Sequence, residues 1–469
     1  MLVLLSTDVL IYLLVFVVVA FIFYARRKEH LRAPWRQVAK SRLGMASAVI
    51  LFAYVTIGLL DSIHFHPRLD GTDAHGEVRY STEVLSLFDV IVAPLRHHVE
   101  KTYSAPFATH LYAKETVELP DGREVRAYPR LKYGGAHLKD PAKDRISDIL
   151  HTSAIALIEA LGVWIVFAFF IIGTLARAAR TTMQETLRAV VKRYTVVPWD
   201  VILITLGVLL ASIFLAAHLG VKYHILGTDK VGQDVFYQAL KSVRTGLIIG
   251  TLTTLVMLPF AILLGIMAGY FRGWVDDVIQ YIYTTLNSIP GVLLIAAAIL
   301  MMQVYMANHA DSFTSLEARA DVRLLFLVII IGITSWTGLC RLLRGEALKL
   351  REIDYIQAAQ AFGVGHFSII MRHILPNVMH IVLITVVLDF SALVLVEAVL
   401  SYINIGVDPS MQSWGNMINS ARLELARDPI VWWSLAAAFI FMFGLVLSAN
   451  LFSDTVRDAF DPRLRITRA

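Results

Sequence analysis

Residues 351–376 read REIDYIQAAQAFGVGHFSIIMRHILP, a polar stretch between apolar runs. Asp354 followed three positions later by Gln357 has the form of a capping box, which predicts a helix with Asp354 as its N-cap. Tyr355, Ala358, Ala359 and Phe362 then fall at i, i+3, i+4 and i+7, one face of a helix of about two turns. Gly363 stands where a helix ends on a residue of positive φ. A second helical stretch over 367–373 is expected to end before Pro376, which can open the next helix. A short helix with an apolar stripe and two small residues suits docking in a partner's groove, and equally suits packing on the chain's own helices.

Outward from this stretch the chain is dominated by long apolar runs. Of 469 residues, 57% are hydrophobic and 17% charged, against about 25% charged in a typical soluble domain. With a mean hydropathy of +0.65, a single soluble core is excluded. About nine runs approach the ~20 residues needed to cross hydrocarbon: 2–24, 45–64, 150–176, 198–219, 245–271, 289–306, 324–343, 377–403 and 431–452. The first has no basic stretch before it, so it is expected to be a retained anchor and not a cleaved signal. The one cysteine, Cys340, excludes an intrachain disulfide.

Positive residues set the expected sidedness. Arg26, Arg27, Lys28, Arg32, Arg36, Lys40 and Arg42 crowd the first connection, and Arg177, Arg180, Arg188, Lys192 and Arg193 the third. Arg341, Arg344, Lys349, Arg351 and Arg372 mark a later one. These alternate correctly with the N-terminus outside and the C-terminus in the cytoplasm. The expected organisation is two N-terminal transmembrane helices (1–64), an extracytoplasmic segment (65–148), and a third helix with a cytoplasmic elbow (149–197). A six-span core (198–455, with the quoted loop at about 345–376) and a cytoplasmic tail (456–469) complete it. The outside segment mixes turn-rich stretches, 69–72 and 120–123, with short alternating runs such as 115–119, and reads as a small α+β domain. In the elbow, Met183, Leu187, Val190 and Val191 share a stripe suited to a membrane interface or to continuation of the third span.

Here the quoted loop resembles the EAA loop of permeases from bacterial ATP-binding-cassette importers. It has the Ala-Ala pair (Ala358, Ala359), the glycine four residues on (Gly363) and the distal Ile374-Leu375-Pro376. Gln357 stands where a glutamate often sits. The stretch His224-Ile225-Leu226-Gly227-Thr228-Asp229 with Gly232-Gln233-Asp234, the stretch Ser413-Trp414-Gly415-Asn416-Met417, and residues 457–463 resemble motifs of the C-type subunits of dipeptide, oligopeptide and nickel permeases. Gln233 replaces a customary arginine. The resemblance spans about 198–465 and leaves the first 197 residues unassigned.

It implies an all-α polytopic membrane protein with a six-helix type I importer core, carrying an N-terminal three-helix extension and a small extracytoplasmic α+β domain. The implied function is half of a translocation pathway for peptides in the bacterial cytoplasmic (inner) membrane. Tyr355, Gln357, Ala358, Ala359, Phe362 and Gly363 would couple it to ATPases, while Gly227, Thr228, Asp229, Asp234, Trp414, Gly415 and Asn416 would shape outer loops. The implied partners are a homologous B-type permease, two ATPase subunits, an extracytoplasmic solute-binding protein, the peptide substrate and the lipid bilayer; nucleic acid is not among them. ATP and Mg would be bound by the ATPase subunits. This chain has no Gly-x-x-x-x-Gly-Lys-Ser/Thr loop, so no cofactor and no catalysis are expected here.

Import of nickel or another small solute by the same machinery is an alternative; so is a membrane-anchored sensor with an extracytoplasmic ligand domain. Asp389 and Glu397 fall within the eighth span, where an acid is costly and either lines a polar path or bonds within the bundle. Asp234 is a candidate N-cap for an interfacial helix carrying Val235, Phe236, Leu240 and Val243, or for a plain turn into the next span. The histidines near 64–137 show no ligand spacing, so no metal is expected.

Overall fold

The computed structural model describes residues 2–27, 29–72, 78–118, 124–309 and 315–460. In chain order the helices begin with α1 Ser6–Arg26, α2 Glu29–Val38 and α3 Arg42–Asp61. The short strands and helices β1 Leu2–Val3, β2 His64–Phe65, β3 Arg68–Thr72, β4 Val78–Tyr80, β5 Leu85–Ser86, α4 Leu87–Ile91, α5 Ala93–His97, β6 Glu115–Glu118 and β7 Glu124–Ala127 occupy the early connections. Then follow α6 Pro141–Ala179, α7 Met183–Val191, α8 Trp199–Lys222, α9 Val235–Phe271, α10 Gly273–Ser288, α11 Gly291–Asn308, α12 Leu316–Ser335 and α13 Thr337–Arg351. The last are α14 Asp354–Ala361, α15 His366–Ile369, α16 Leu375–Tyr402, α17 Trp414–Glu424 and α18 Trp433–Phe460.

Among the described residues, nine helices are long and apolar enough to cross a membrane, matching the apolar runs of the sequence. The chain is therefore an all-α polytopic membrane protein with small accessory sheets. Several helices outrun the hydrocarbon. At ~1.5 Å per residue, the 39 residues of α6 span about 58 Å, so its charged first turns stand clear of the apolar run. α9 behaves likewise: Asp234 caps it, accepting from the Tyr237 N–H at 3.0 Å, and it continues unbroken to Phe271. The separate interfacial helix anticipated there is the first turns of the span itself, because nothing between Val235 and Thr245 breaks the backbone ladder.

Two compact units divide the chain. The first comprises 1–3, 35–245 and 412–455; the second comprises 4–34, 246–411 and 456–469.

In the first unit α6 lies along α8. The Trp164 indole donates to the Leu203 carbonyl at 2.7 Å, while Lys222 and Tyr223 reach Asp148 at 3.1 and 2.8 Å. α3 packs on α18 through Tyr54, whose hydroxyl donates to Phe441 O at 2.9 Å. α7 opens with a reciprocal box between Thr182 and Glu185, so the elbow is a helix of its own and not a continuation of α6. Among the described residues the segment after α3 forms small antiparallel sheets, β3-β4, β6-β7 and β1-β2-β5, the last joined by β1 from before α1, with α4 and α5 between the strands. Residues 69–72, read as a turn, lie in β3, since Arg68 and Thr72 pair with Tyr80 and Val78. The second turn-rich stretch, 120–123, lies outside the described residues, as does the tail motif beyond Phe460.

In the second unit α1 packs on α12. Leu10, Ile11 and Leu14 join Leu324, Leu327 and Ile331, and the Thr7 N–H donates to Asp321 at 3.1 Å. A larger cluster gathers Met257, Ile266, Leu343, Ile369 and Val378 from α9, α13, α15 and α16. Gly265 and Gly269 let α9 lie against α13: a Cβ would stand 2.8 Å from Cys340 O at the first and 2.6 Å from Arg344 O at the second.

Candidate functional site

The 351–376 loop leaves α13 on a polar scaffold. Arg344 grips Asp276 bidentately at 2.6 and 2.7 Å. That pair of hydrogen bonds holds Asp276 below the usual carboxylate range, against the opposing effect of burial. Arg351 donates to the Tyr270 carbonyl at 2.8 Å, and Arg272 pairs with Glu352. The Tyr270 hydroxyl meets His366 Nδ1 at 2.8 Å and accepts from Gln360 at 3.3 Å. The loop therefore leaves and returns over one fixed tyrosine.

α14 is the short helix expected, with one correction at its start. Its N-cap is Ile353, with no side-chain cap bond, and Asp354 is the first helical residue. The capping box is not formed; the Gln357 amide instead donates back to Glu352 O at 3.2 Å. An acid one position inside a helix still faces the positive end of its dipole, so the same residue serves without capping. The C-terminus is a Schellman motif: Gly363 N donates to Gln360 O and Val364 N to Ala359 O, both at 3.0 Å. Gly363 has φ 77° and open space around a would-be Cβ.

The helix has two faces. Ile356 is fully buried in the cluster of the second unit, and Ala359 packs beside it. Tyr355, Ala358 and Phe362 turn outward; Phe362 is 88% exposed. Of the stripe, Ala359 packs on the chain's own helices, and Tyr355 reaches them at its tip, accepting from the Asn377 amide at 3.1 Å and lying 5.9 Å from the His373 ring. Ile356, the residue that anchors the loop, was overlooked because it sits beside the stripe. Beyond Gly365 the helix does not stop before Pro376. α15 passes through a π turn, Ile370–Ile374, into α16, with Leu375 N donating to Ile370 O. The wider turn accommodates a proline that has no N–H to donate.

In the first unit the 224–234 turn is wrapped by the segment following α5. Asp234 accepts from His224 Nδ1 at 2.7 Å, and His224 Nε2 faces Glu100 at 3.4 Å. Glu100 also accepts from the N–H groups of Lys132, Tyr133 and Gly134 at 2.8, 2.8 and 3.2 Å. Burial opposes the charge on Glu100, yet these bonds and His224 hold its carboxyl down to about 2. Burial likewise disfavours the imidazolium, but the two carboxylates raise His224 to about 9. Thr228 Oγ accepts from Ser104 N at 2.7 Å and donates to Thr102 O at 2.8 Å. A Cβ at Gly227 would lie 2.3 Å from Ser104 O, and one at Gly232 would lie 1.8 Å from Glu100 O. Both have positive φ, so only glycine fits. Asp229 caps its own turn, accepting from Val231 N and Gln233 N at 3.0 and 2.9 Å, and Gln233 pairs with Gln238 at 3.2 Å.

The 413–433 stretch closes the same region. Ser413 caps α17 by accepting from Asn416 N at 3.0 Å. Trp414 is buried, donating to Ala239 O at 3.0 Å, and Gly415 is buried beside it. Trp433 donates to Thr228 O at 3.0 Å, and Tyr112 meets its ring edge-on at 4.8 Å. Tyr103 is buried and donates to Glu424 at 3.2 Å, with Arg427 over its ring. Burial, reinforced by Glu424, pushes its phenol up to about 12. Lys241 on α9 reaches Asp61 at 2.6 Å and both oxygens of Asp89 at 2.7 Å. His224 and Asp234 lay in a motif of the sequence, but Glu100 and the Lys241 cluster escaped sequence reading because their partners are far apart in the chain.

Glu397 is buried and accepts from Ser401 at 2.7 Å. Asp389 is half-buried, and among the described residues none donates to it. The described residues also hold no cluster of His, Cys, Asp or Glu placed for a metal.

Among the described residues, nine helices long and apolar enough to cross a membrane define a multi-span membrane protein. Residues 261–466 match the family described as the binding-protein-dependent transport system inner membrane component. The glutathione transport system permease protein GsiD of Pectobacterium atrosepticum is 33% identical over 52% of this chain and 73% of its own. The oligopeptide transport system permease protein OppC of Mycobacterium bovis is 31% identical over 52% and 78%. The dipeptide transport system permease protein DppC of Lactococcus lactis is 30% identical over 51% and 64%. The chain belongs to this family: it is a C-type transmembrane permease subunit of an ATP-binding-cassette importer.

Proposed function

We propose that the chain forms half of a translocation pathway for peptides in the bacterial cytoplasmic membrane. It would pair with a homologous B-type permease over two ATPase subunits and receive substrate from an extracytoplasmic solute-binding protein. The names of the relatives support peptide as the solute class, and the distribution of arginine and lysine supports an outside N-terminus with residues 65–148 outside. ATP and Mg are bound by the ATPase subunits, and this chain is not catalytic. Asp389 is a polar lining group of the path; Glu397, buried against Ser401, is a packing group.

The observation that carries the proposal is the division of α14: Ile356 is held in the permease core while Ala358 and Phe362 stand clear. A helix anchored on one side and apolar on the other transmits a partner's movement to the spans behind it. Gln357, Ala358, Ala359 and Gly363 set its length and close approach. Gly363→Val tests this. The space is open, so the substitution acts through backbone strain of about 1–3 kcal/mol that displaces Phe362. Expected is an assembled complex that loses transport-linked ATP hydrolysis; full stimulation in the assembled variant would refute the coupling role.

A further inference from the structure

α6, α7 and α8 of the first unit enclose a groove of about 490 Å³. Its floor is Ala168, Val190 and Leu203, with Trp164 alongside. Its walls are apolar side chains left open on the surface, among them Phe169 at 65% exposed, Val191 at 68% and Ile204 at 63%. α6 and α8 are two of the membrane-crossing helices, so the groove faces the surroundings of those helices and not a soluble core.

One end of the groove is charged. Arg193 and Asp200 line it. Arg42 donates to Asp200 at 2.6 Å, and Arg193 Nε lies 3.4 Å from the same carboxylate. Two guanidinium groups on one carboxylate leave an excess positive charge. The Arg193 side chain is 68% exposed, which keeps donors of its fork open to a further anion. Arg180, Arg188 and Lys192 add exposed cations along α7. Arg180 and Arg193 bracket α7 with φ of 55° and 63°, a conformation long side chains rarely adopt. The backbone there is held to a shape that its own residues do not prefer.

An apolar trough in membrane-crossing helices, ending at clustered cations, matches one chemistry: an acyl chain joined to a phosphate. We propose that this groove binds an anionic phospholipid, with an acyl chain over Val190 and Leu203 and the phosphate at Arg193. The bound lipid braces α7 against α6 and α8. The inference rests on the membrane character of the chain and is independent of its solute.

The test uses the full-length chain in nanodiscs of equal phosphatidylglycerol and phosphatidylcholine, with the lipids that remain bound read by native mass spectrometry. Wild type should retain phosphatidylglycerol in preference. Arg193→Gln should lower that preference about fivefold, the effect of one basic residue near a lipid surface, while Arg193→Lys retains most of it. Val191→Trp, which narrows the trough, should reduce retention of both lipids. Equal retention of the two lipids by wild type, or a preference unchanged in Arg193→Gln, would overturn the proposal. Displacement of the lipid by glycerol phosphate alone would also overturn it, since the site would then read a headgroup and no chain.

Discussion

Glu100 and His224 stand 124 positions apart in the chain, and their buried side chains face each other across 3.4 Å. With Asp234 on the far side of the imidazole at 2.7 Å, they form a carboxylate–imidazolium–carboxylate row that fastens the segment after α5 to the cap of α9.

This row gives a pH dependence with two limbs. Glu100 is depressed from 4.5 to about 2, so its contribution is complete above pH 4.5 and is lost as pH falls toward 2. His224 is raised from 6.5 to about 9, so its contribution is complete below pH 6.5 and is lost as pH rises toward 9. Thermal unfolding of the purified chain across pH should show the alkaline decline shallower in His224→Gln and the acid decline shallower in Glu100→Gln. Unchanged profiles in both variants would show that the row does not contribute to stability. His224→Ala at pH 6 should cost about 3–5 kcal/mol, as expected when one member of a buried charge group is removed.

α14 supplies a contrast between two neighbouring apolar residues. Ile356→Ala opens a cavity in the second unit's core and should cost about 2–5 kcal/mol. Phe362→Ala removes an exposed ring and should change stability by no more than about 0.5 kcal/mol, yet it should reduce transport-linked ATP hydrolysis in the assembled transporter. Calorimetry and ATPase assays on the two variants separate the roles; a Phe362→Ala transporter with full activity would remove that ring from the coupling surface.

Excision of residues 66–147 would leave His224 without Glu100 and Lys241 without Asp89. It would also take away the backbone that covers Gly227 and Gly232. The expected outcome is loss of monodisperse, folded protein, seen by size-exclusion chromatography. A well-folded product would mean that the segment only rests on the turn.

Sidedness is open to direct measurement. A membrane-impermeant maleimide applied to intact cells should label a cysteine at the exposed position Arg126 and not one at the exposed position Gln357. The native Cys340 is buried and should stay silent. Labelling at Gln357 would reverse the proposed orientation.

What the sequence showed and what it hid follow from range. The spans were legible because each is a continuous apolar run whose length matches the bilayer. The end of α14 was legible because a glycine at C′ is a local backbone demand. Its start was not, since an acid serves equally at the cap or one position inside. Ile356 was hidden because a two-turn helix permits more than one apolar face, and only the core behind it selects among them. The fastening of residues 100–112 onto the 224–234 turn depends on pairs more than a hundred positions apart, for which no period or spacing in one sequence gives a sign.

The contact at Gly232 limits how this permease can be re-engineered. A peptide carbonyl of Glu100 occupies the volume where any other residue would place its first side-chain carbon. The two stretches are therefore mated parts, like a key cut for one lock. Grafting the 224–234 turn from a relative without residues 65–148, or the reverse exchange, would bring together surfaces that never met. Functional chimeras of this subunit must exchange both stretches at once.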